Sequence, residues 1–184
     1  MNYTEQEVKV LNVDAKKISA LLNSLGAKKT FDGYRTFILF DFPDKKITKK
    51  GEEIRLTLEG DKNKLSYEFK INRKLASTKL FVSRAKETLD LLNKLGLTEI
   101  ARIKSHRISW EWNGIDFDLD VFPKIKPFLE IDLGKSKIKL SSLLKQLSLK
   151  NNEVVHISTR EIYKKYGLDY SKLNNSSHNK LSSE

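Results

Sequence analysis

The strongest constraint on this chain is an alternation of apolar and polar residues with period two, in which the polar side is charged in segment after segment. Seven stretches carry it: Glu5 to Val13, Phe37 to Phe42, Glu53 to Glu59, Leu65 to Ile71, Arg102 to Trp112, Ile115 to Val121 and Phe128 to Leu133. Side chains two apart on a strand point the same way, so each stretch reads as a strand with one apolar and one polar face. Turn residues bound each stretch, and one-sided strands of this kind belong to a mainly antiparallel sheet. On the first stretch Glu5, Glu7 and Lys9 oppose Val8 and Val10. Arg55, Thr57 and Glu59 oppose Ile54, Leu56 and Leu58, and Glu68 and Lys70 oppose Tyr67 and Phe69. Asp116, Asp118 and Asp120 oppose Ile115, Phe117 and Leu119, while Glu130 and Asp132 oppose Leu129 and Ile131.

Two architectures accommodate such faces. In a sandwich the apolar sides meet and the charged sides are solvated. In a closed barrel, amphipathic helices cover the apolar sides and the charged sides line a wet interior. The helices decide in favour of the second. Asp14 can cap a helix from Ala15 with Ile18, Leu21, Leu22 and Leu25 on one face and Gly26 as its stop. Ser83 can cap another containing Leu89, Leu91, Leu92 and Leu95 before Gly96, and a third lies within Ser136 to Leu147. The fourth opens on Ser158-Thr-Arg-Glu161, a capping box, and ends at Gly167. Four apolar stripes need a surface to cover, so the expected class is α+β, a closed antiparallel barrel with helices outside. Helix, Leu-Gly stop, loop and long strand recur in ISALLNSLGAKKTFDGYRTFILFDF and LDLLNKLGLTEIARIKSHRISWEWNG, a repeat that suits a symmetric sheet. Residues 1–170 are expected to form a single domain, and residues 171–184, without apolar periodicity, a disordered tail.

Composition removes several chemistries. With no cysteine there is no disulfide framework, thiolate nucleophile or Cys-ligated metal, and the chain suits a reducing cytosol. The N-terminus lacks the basic and apolar regions of a signal peptide, and no apolar run is long enough for a membrane helix, so a soluble, cytoplasmic protein is expected. There is no GxxxxGK loop and no nucleophile elbow. His106 and His156 have no partner at ligand or triad spacing, and Trp110 and Trp112 share a strand face suited to packing under helices rather than to stacking bases. The lysine pairs Lys16-Lys17, Lys28-Lys29, Lys45-Lys46 and Lys49-Lys50 fall on expected helix surfaces and loops.

The charged faces suggest a chemistry of their own. Clustered acids such as Asp116, Asp118 and Asp120 repel one another as mere surface decoration, whereas hard carboxylate oxygens are what Mg²⁺ or Mn²⁺ takes. Beside them Lys9, Arg55, Lys70 and Arg107 could hold phosphate oxygens, the arginines through two bonds each and the lysines as point charges. Acids and bases lining one tunnel suit a metal-bound polyphosphate.

Glu5-Gln-Glu7-Val-Lys9 resembles the E-x-E-x-K signature of the CYTH superfamily, the triphosphate tunnel metalloenzymes. FILFDFPDKKITKKGEEIRL resembles the family's aromatic-Asp strand, Pro-Asp turn and Leu-Arg strand, and YEFK its strand ending in a basic residue. IDFDLDVFPKIKPFLEID resembles its late acidic hairpin, and Arg160-Glu-Ile-Tyr163 its closing segment. The likeness spans about residues 3 to 167. It implies a closed eight-stranded antiparallel β-barrel that binds a triphosphate with divalent metal. Glu5, Glu7, Asp120, Glu130 and Asp132 are the implied Mg²⁺ or Mn²⁺ ligands. Lys9, Arg55, Lys70 and Arg107 are the implied phosphate contacts, Lys9 and Arg107 with catalytic roles.

Departures from the pattern thin the basic end. Thr57 stands where a second arginine is expected and Ser105 where a lysine is; Lys104 is one position out of register and reaches the phosphates only through a bulge. Ala76 and Thr78 occupy the places of an R-x-E pair, where Arg73 or Lys79 could substitute. With Glu68 and Asp118 on the same faces and Lys104 among the bases, the expected lining holds seven acids against five bases, so the net charge of +11 is surface lysine that can draw in an anionic substrate. The resemblance is greatest to class IV adenylate cyclases, which convert ATP to cyclic AMP and pyrophosphate. A triphosphatase acting on tripolyphosphate, thiamine triphosphate or a nucleotide is the alternative, and a non-catalytic polyphosphate binder and a nonspecific RNA binder are further ones. Tunnel enzymes of this kind are often homodimers.

Overall fold

Alternation becomes strand throughout the computed structural model, which describes residues 3–4, 7–60, 62–71, 74–170 and 173. In chain order the elements are β1 (Tyr3–Thr4), β2 (Glu7–Val10), α1 (Ala15–Ser24), β3 (Lys28–Asp41), α2 (Lys46–Lys49), β4 (Glu53–Leu58), β5 (Asn63–Ile71) and β6 (Lys74–Val82). They continue with α3 (Ala85–Lys94), β7 (Thr98–Trp112), β8 (Ile115–Val121), β9 (Phe128–Asp132), α4 (Leu140–Gln146), β10 (Val154–Val155) and α5 (Thr159–Lys165). The fold is α+β, a large antiparallel sheet with helices. Among the described residues, eight strands have four residues or more, beside the two-residue β1 and β10.

The chain divides into two compact units. The first holds residues 35–104 and the segment from Tyr163 onward; the second holds residues 3–34 and 105–162. The long strands β3 and β7 each run from one unit into the other. They are the strands of the sequence repeat, and each follows a helix that stops at a Leu-Gly pair. Gly26 and Gly96 sit at φ 75° and 85°, a left-handed conformation that glycine adopts without a Cβ penalty.

In the first unit β6, β5, β4 and β3 pair in that order, all antiparallel. Their apolar side, with Ile38, Phe40 and Leu56, packs against Leu92 of α3 and Leu97, with Leu89 at its edge. The expected apolar stripe of α3 is narrower than the sequence reading, for Leu91 and Leu95 are 56% and 61% exposed. Its N-cap is Arg84 rather than Ser83, without a side-chain cap. In the second unit the order is β7, β8, β9, β2 and β10. Val8, Val10, Ile115, Phe117, Leu119, Leu129 and Ile131 pack under Ile18 and Leu22 of α1 and Leu143 and Leu144 of α4. Trp110 is in this core and donates its indole N–H to Asn23 at 2.9 Å, so it packs under a helix as the sequence suggests. Burial of each such Leu, Ile or Trp side chain stabilises the fold by roughly 1.5–3 kcal/mol.

Each helical cover lies on an apolar sheet face, and the opposite charged faces are buried in part, with Asp116 and Glu111 exposed. Lys9, Arg35, Asp41, Glu53, Asp120 and Glu130 are all buried. Buried charges of this kind are not what the solvated face of a sandwich presents. Asp14 caps α1 by accepting from Lys16 N and Lys17 N at 3.0 and 3.1 Å. The Ser158 capping box forms, with Ser158 N donating to the Glu161 carboxylate at 2.9 Å and Glu161 N to Ser158 Oγ at 3.3 Å. Residues 171–172 and 174–184 of the expected tail lie outside the described residues; Leu173 is buried. Among the described residues no helix is long and apolar enough to cross a membrane.

Candidate functional site

The charged face of the second unit is built in rows, because its strands pair in register. Glu7, Asp132, Asp116 and Glu111 stand side by side across β2, β9, β8 and β7. One step along lie Lys9, Glu130, Asp118 and Ser109, and a further step along Phe128, Asp120 and Arg107. The first row is all acid. Burial, then the charges of Asp132 and Glu111, raises the Asp116 carboxyl above its ordinary value.

Cations close the other two rows. Arg107 donates Nε to Asp120 at 2.8 Å and Nη2 to the second oxygen of the same carboxylate, a bidentate pair. Its Nη1 reaches Asp118 and its Nη2 also reaches Glu130. Lys9 ion-pairs with Glu7 and, at 3.1 Å, with Glu130. Burial favours a neutral Lys9, but Glu130 and Glu7 outweigh it and raise the ammonium's pKa; Arg107 is raised in the same way by Asp120 and Glu130. Both therefore stay charged although both are buried among β-strands. Ser109 donates to Asp118. Ser105, two residues before Arg107 on the same strand face, is 2% exposed, and its hydroxyl has no hydrogen-bond partner among the described residues.

The charged face of the first unit has a second, smaller cluster. Arg55 bridges Glu53 at 3.1 Å and Glu68, which face each other across β4 and β5. Phe37, on β3 opposite Thr57, lies under two guanidinium groups, Arg35 at 4.9 Å and Arg55 at 5.0 Å from its ring centroid. Arg35 is 3.7 Å from Glu59.

The structure thus brings together Lys9, Glu7, Arg107, Asp120 and Glu130 of the expected site, and places Arg55 in the other cluster. Asp132 is one row away, accepting from Gly134 N at 2.9 Å. Glu5 lies outside the described residues, and Lys70 is placed by its backbone on β5 opposite Leu75. Lys104 does not join the cluster. Burial alternates along this part of β7, Ser105 being buried and Lys104 exposed. Thr57, Ser105 and Ala76, which stand where the resemblance implied charged residues, are all buried and bring no charge. Asp118 and Glu68, expected on the charged lining, each lie in one of the two clusters, and Arg35 and Glu53 join the cluster of the first unit beyond the residues first assigned. For Arg35 the signal was available, since it is spaced two before Phe37 on the same strand.

Carboxylate oxygens are hard donors, so the chemistry of Glu7, Asp120, Glu130 and Asp132 fits Mg²⁺ or Mn²⁺. Among the described residues, however, no three such side chains are grouped so that they could hold a metal ion. Lys9 and Arg107 stand between them, and a divalent ion has to compete with those cations.

A family model described as the CYTH domain matches residues 4–162. The chain belongs to the CYTH family. That family is divalent-metal dependent and binds triphosphate substrates. Solved structures share the CYTH fold at low identity. A Pyrococcus horikoshii protein is 20% identical, with 83% of this chain and 94% of that one covered and a TM-score of 0.64. A Vibrio parahaemolyticus protein provisionally named an adenylate cyclase is 14% identical over 89% of this chain and 99% of that one, TM-score 0.73. A Hippeastrum protein provisionally named an adenylyl cyclase, with a dominant triphosphatase activity, is 11% identical over 88% and 95% of the two chains, TM-score 0.62. No curated protein matches the sequence.

Proposed function

We propose that this CYTH protein is a divalent-metal-dependent enzyme that breaks a phosphoanhydride bond of a triphosphate-bearing small molecule, with ATP turned into cyclic AMP and pyrophosphate as the leading reaction. The observation that carries the reading is the buried, mixed-sign lining: Lys9 and Arg107 held among Glu7, Asp118, Asp120 and Glu130. Such a lining has no use in a binding surface for neutral ligands, and it is too dense in acid to attract a bare polyanion such as RNA. The closed eight-stranded barrel belongs to this reading as an expectation from the family, and the cysteine-free composition makes the cytosol the proposed location.

In the proposed site of the second unit Lys9 and Arg107 bind phosphate oxygens, Arg107 by its planar fork, and in the cluster of the first unit Arg55 and Arg35 are assigned the same part. Glu7, Asp120, Glu130 and Asp132, with Glu5, would hold Mg²⁺ or Mn²⁺, which supplies charge neutralisation on the phosphates and polarises the bond to be broken. Lys9 and Arg107 can turn to an anion only as their carboxylate partners turn to another cation, so triphosphate and divalent ion are expected to strengthen each other's binding. Alignment of the attacking oxygen with the leaving group then does most of the work. In the cyclase reaction the ribose 3'-hydroxyl attacks the α-phosphorus and pyrophosphate leaves. Water attacking the terminal phosphorus is the second reading, favoured by the triphosphatase activity of the Hippeastrum neighbour.

Product analysis separates them. The protein is incubated with ATP and, separately, with tripolyphosphate, each with Mg²⁺ and with Mn²⁺. Cyclic AMP with pyrophosphate establishes the cyclase, orthophosphate establishes the triphosphatase, and turnover of neither substrate overturns the enzymatic reading. Glu130→Gln, which removes the acid shared by Lys9 and Arg107, should lower the metal-dependent rate at least a hundredfold.

A further inference from the structure

Near the end of the first unit two aromatic rings lie against each other. Tyr163 of α5 and Tyr170 beyond it have ring centroids 5.1 Å apart and planes tilted by 45°, and both side chains are almost fully buried. The Tyr170 hydroxyl has no hydrogen-bond partner among the described residues. Burying a hydroxyl without a partner is costly, and phenylalanine would fill the same space without that cost.

Its surroundings indicate a use. The phenol lies within electrostatic reach of Glu53, Arg55 and Glu68, three of the charges of the smaller cluster. Burial, then Glu53, keeps the proton on the oxygen far above the ordinary tyrosine range, against a weaker pull from Arg55. The group is therefore a permanent neutral donor. Glu53 and Glu68 are both committed to Arg55, and a donor beside that guanidinium is matched to an anionic oxygen that the guanidinium also holds.

We propose that Tyr170 is a further substrate-binding residue, its hydroxyl donating a hydrogen bond to a phosphate oxygen held at Arg55. The proposal rests on the triphosphate reading above. It also assigns a partial replacement for the positive charge absent at Thr57: a neutral donor within electrostatic reach of Arg55, at no cost in like-charge repulsion with Arg55.

Tyr170→Phe tests it, because the ring and its packing on Tyr163 are kept. Calorimetric titration of full-length wild type and variant uses tripolyphosphate and, separately, ATP, each with Mg²⁺, alongside thermal unfolding of both proteins without ligand. The expected result is binding weakened by about tenfold to a hundredfold, the range of a lost hydrogen bond to a charged group, with an unfolding midpoint unchanged or raised. Equal affinity for both ligands overturns the role of Tyr170 and leaves the triphosphate reading standing. A midpoint lowered by several degrees also overturns it, for the hydroxyl then serves the fold. Wild type that binds neither ligand overturns the triphosphate reading and this proposal with it.

Discussion

The two charged clusters solve the problem of burying ions differently. In the second unit two cations, Lys9 and Arg107, hold four acids, and every nitrogen of the Arg107 fork is engaged. In the first unit Arg35 and Arg55 serve three acids, Glu59 at 3.7 Å and the pair Glu53 and Glu68. There an aromatic ring, Phe37, takes up part of the work of stabilising both guanidiniums. The denser cluster has more to lose when its cation is removed, since stranded buried charges are worth more than the pair that held them. Acid excess also makes it the natural place for a metal, and the looser cluster the natural place for phosphate that needs no competing ion.

Arg107→Met breaks that comparison most severely. It leaves Asp118, Asp120 and Glu130 facing one another without their shared cation, and a loss of about 3–5 kcal/mol is expected. Arg55→Met strands only Glu53 and Glu68, two acids instead of three, and about 2 kcal/mol is expected. Urea unfolding of the two variants measures both. Equal losses, or a larger one for Arg55→Met, would remove the distinction between the clusters. Activity should follow a different rule, with both variants impaired, because each arginine is assigned a phosphate.

A third acid sharpens the contrast, for Asp41 of the first unit is fully buried yet relies on backbone donors. Its carboxylate accepts from Phe42 N at 2.8 Å, Ile47 N at 3.1 Å and Thr48 N at 2.9 Å, and so starts the short helix α2. Burial pushes its pKa up, but the hydrogen bonds from Thr48, Ile47 and Phe42 together prevail, and the net direction is downward. A carboxyl lowered on folding stabilises the protein above its unfolded value, near 3.8, and that contribution is lost as pH falls through the folded value. Asp41→Asn should cost about 1–2 kcal/mol at neutral pH, and the difference from wild type should shrink below pH 4 in a series of unfolding curves. A difference that stays constant to pH 2 would show that shape rather than charge matters there.

These contrasts also mark what the sequence could and could not reveal. Glu7, Lys9, Arg107, Asp120 and Glu130 were legible because period two is rigid: once a strand is recognised, its charged side is fixed. The same alternation leaves Lys104 exposed next to buried Ser105, and it brings Arg35 into the cluster of the first unit, because β3 starts at Lys28 instead of near Phe37. β6 was missed because KLASTKLFV does not alternate; it is held by pairing with β5, which no local pattern encodes. α2 was missed for a similar reason, as its cap comes from Asp41, well before its first residue. Tyr170 lies past the last helix, where burial comes from tertiary packing alone.

The smallest expected effect concerns the hydroxyl of the denser cluster. Ser105 is buried beside Arg107 on the polar face of β7 with no hydrogen-bond partner among the described residues. Its side chain is small enough for Ala to replace it with little void, and removing an unsatisfied hydroxyl returns its desolvation cost. Ser105→Ala should therefore change stability by less than about 0.5 kcal/mol, and in the stabilising direction if at all. A loss of 1 kcal/mol or more in urea unfolding would mean that the hydroxyl is bonded in solution. The acids around Arg107 would then be satisfied by more than their two cations, and the greater fragility assigned to that cluster would have to be reduced by the same amount.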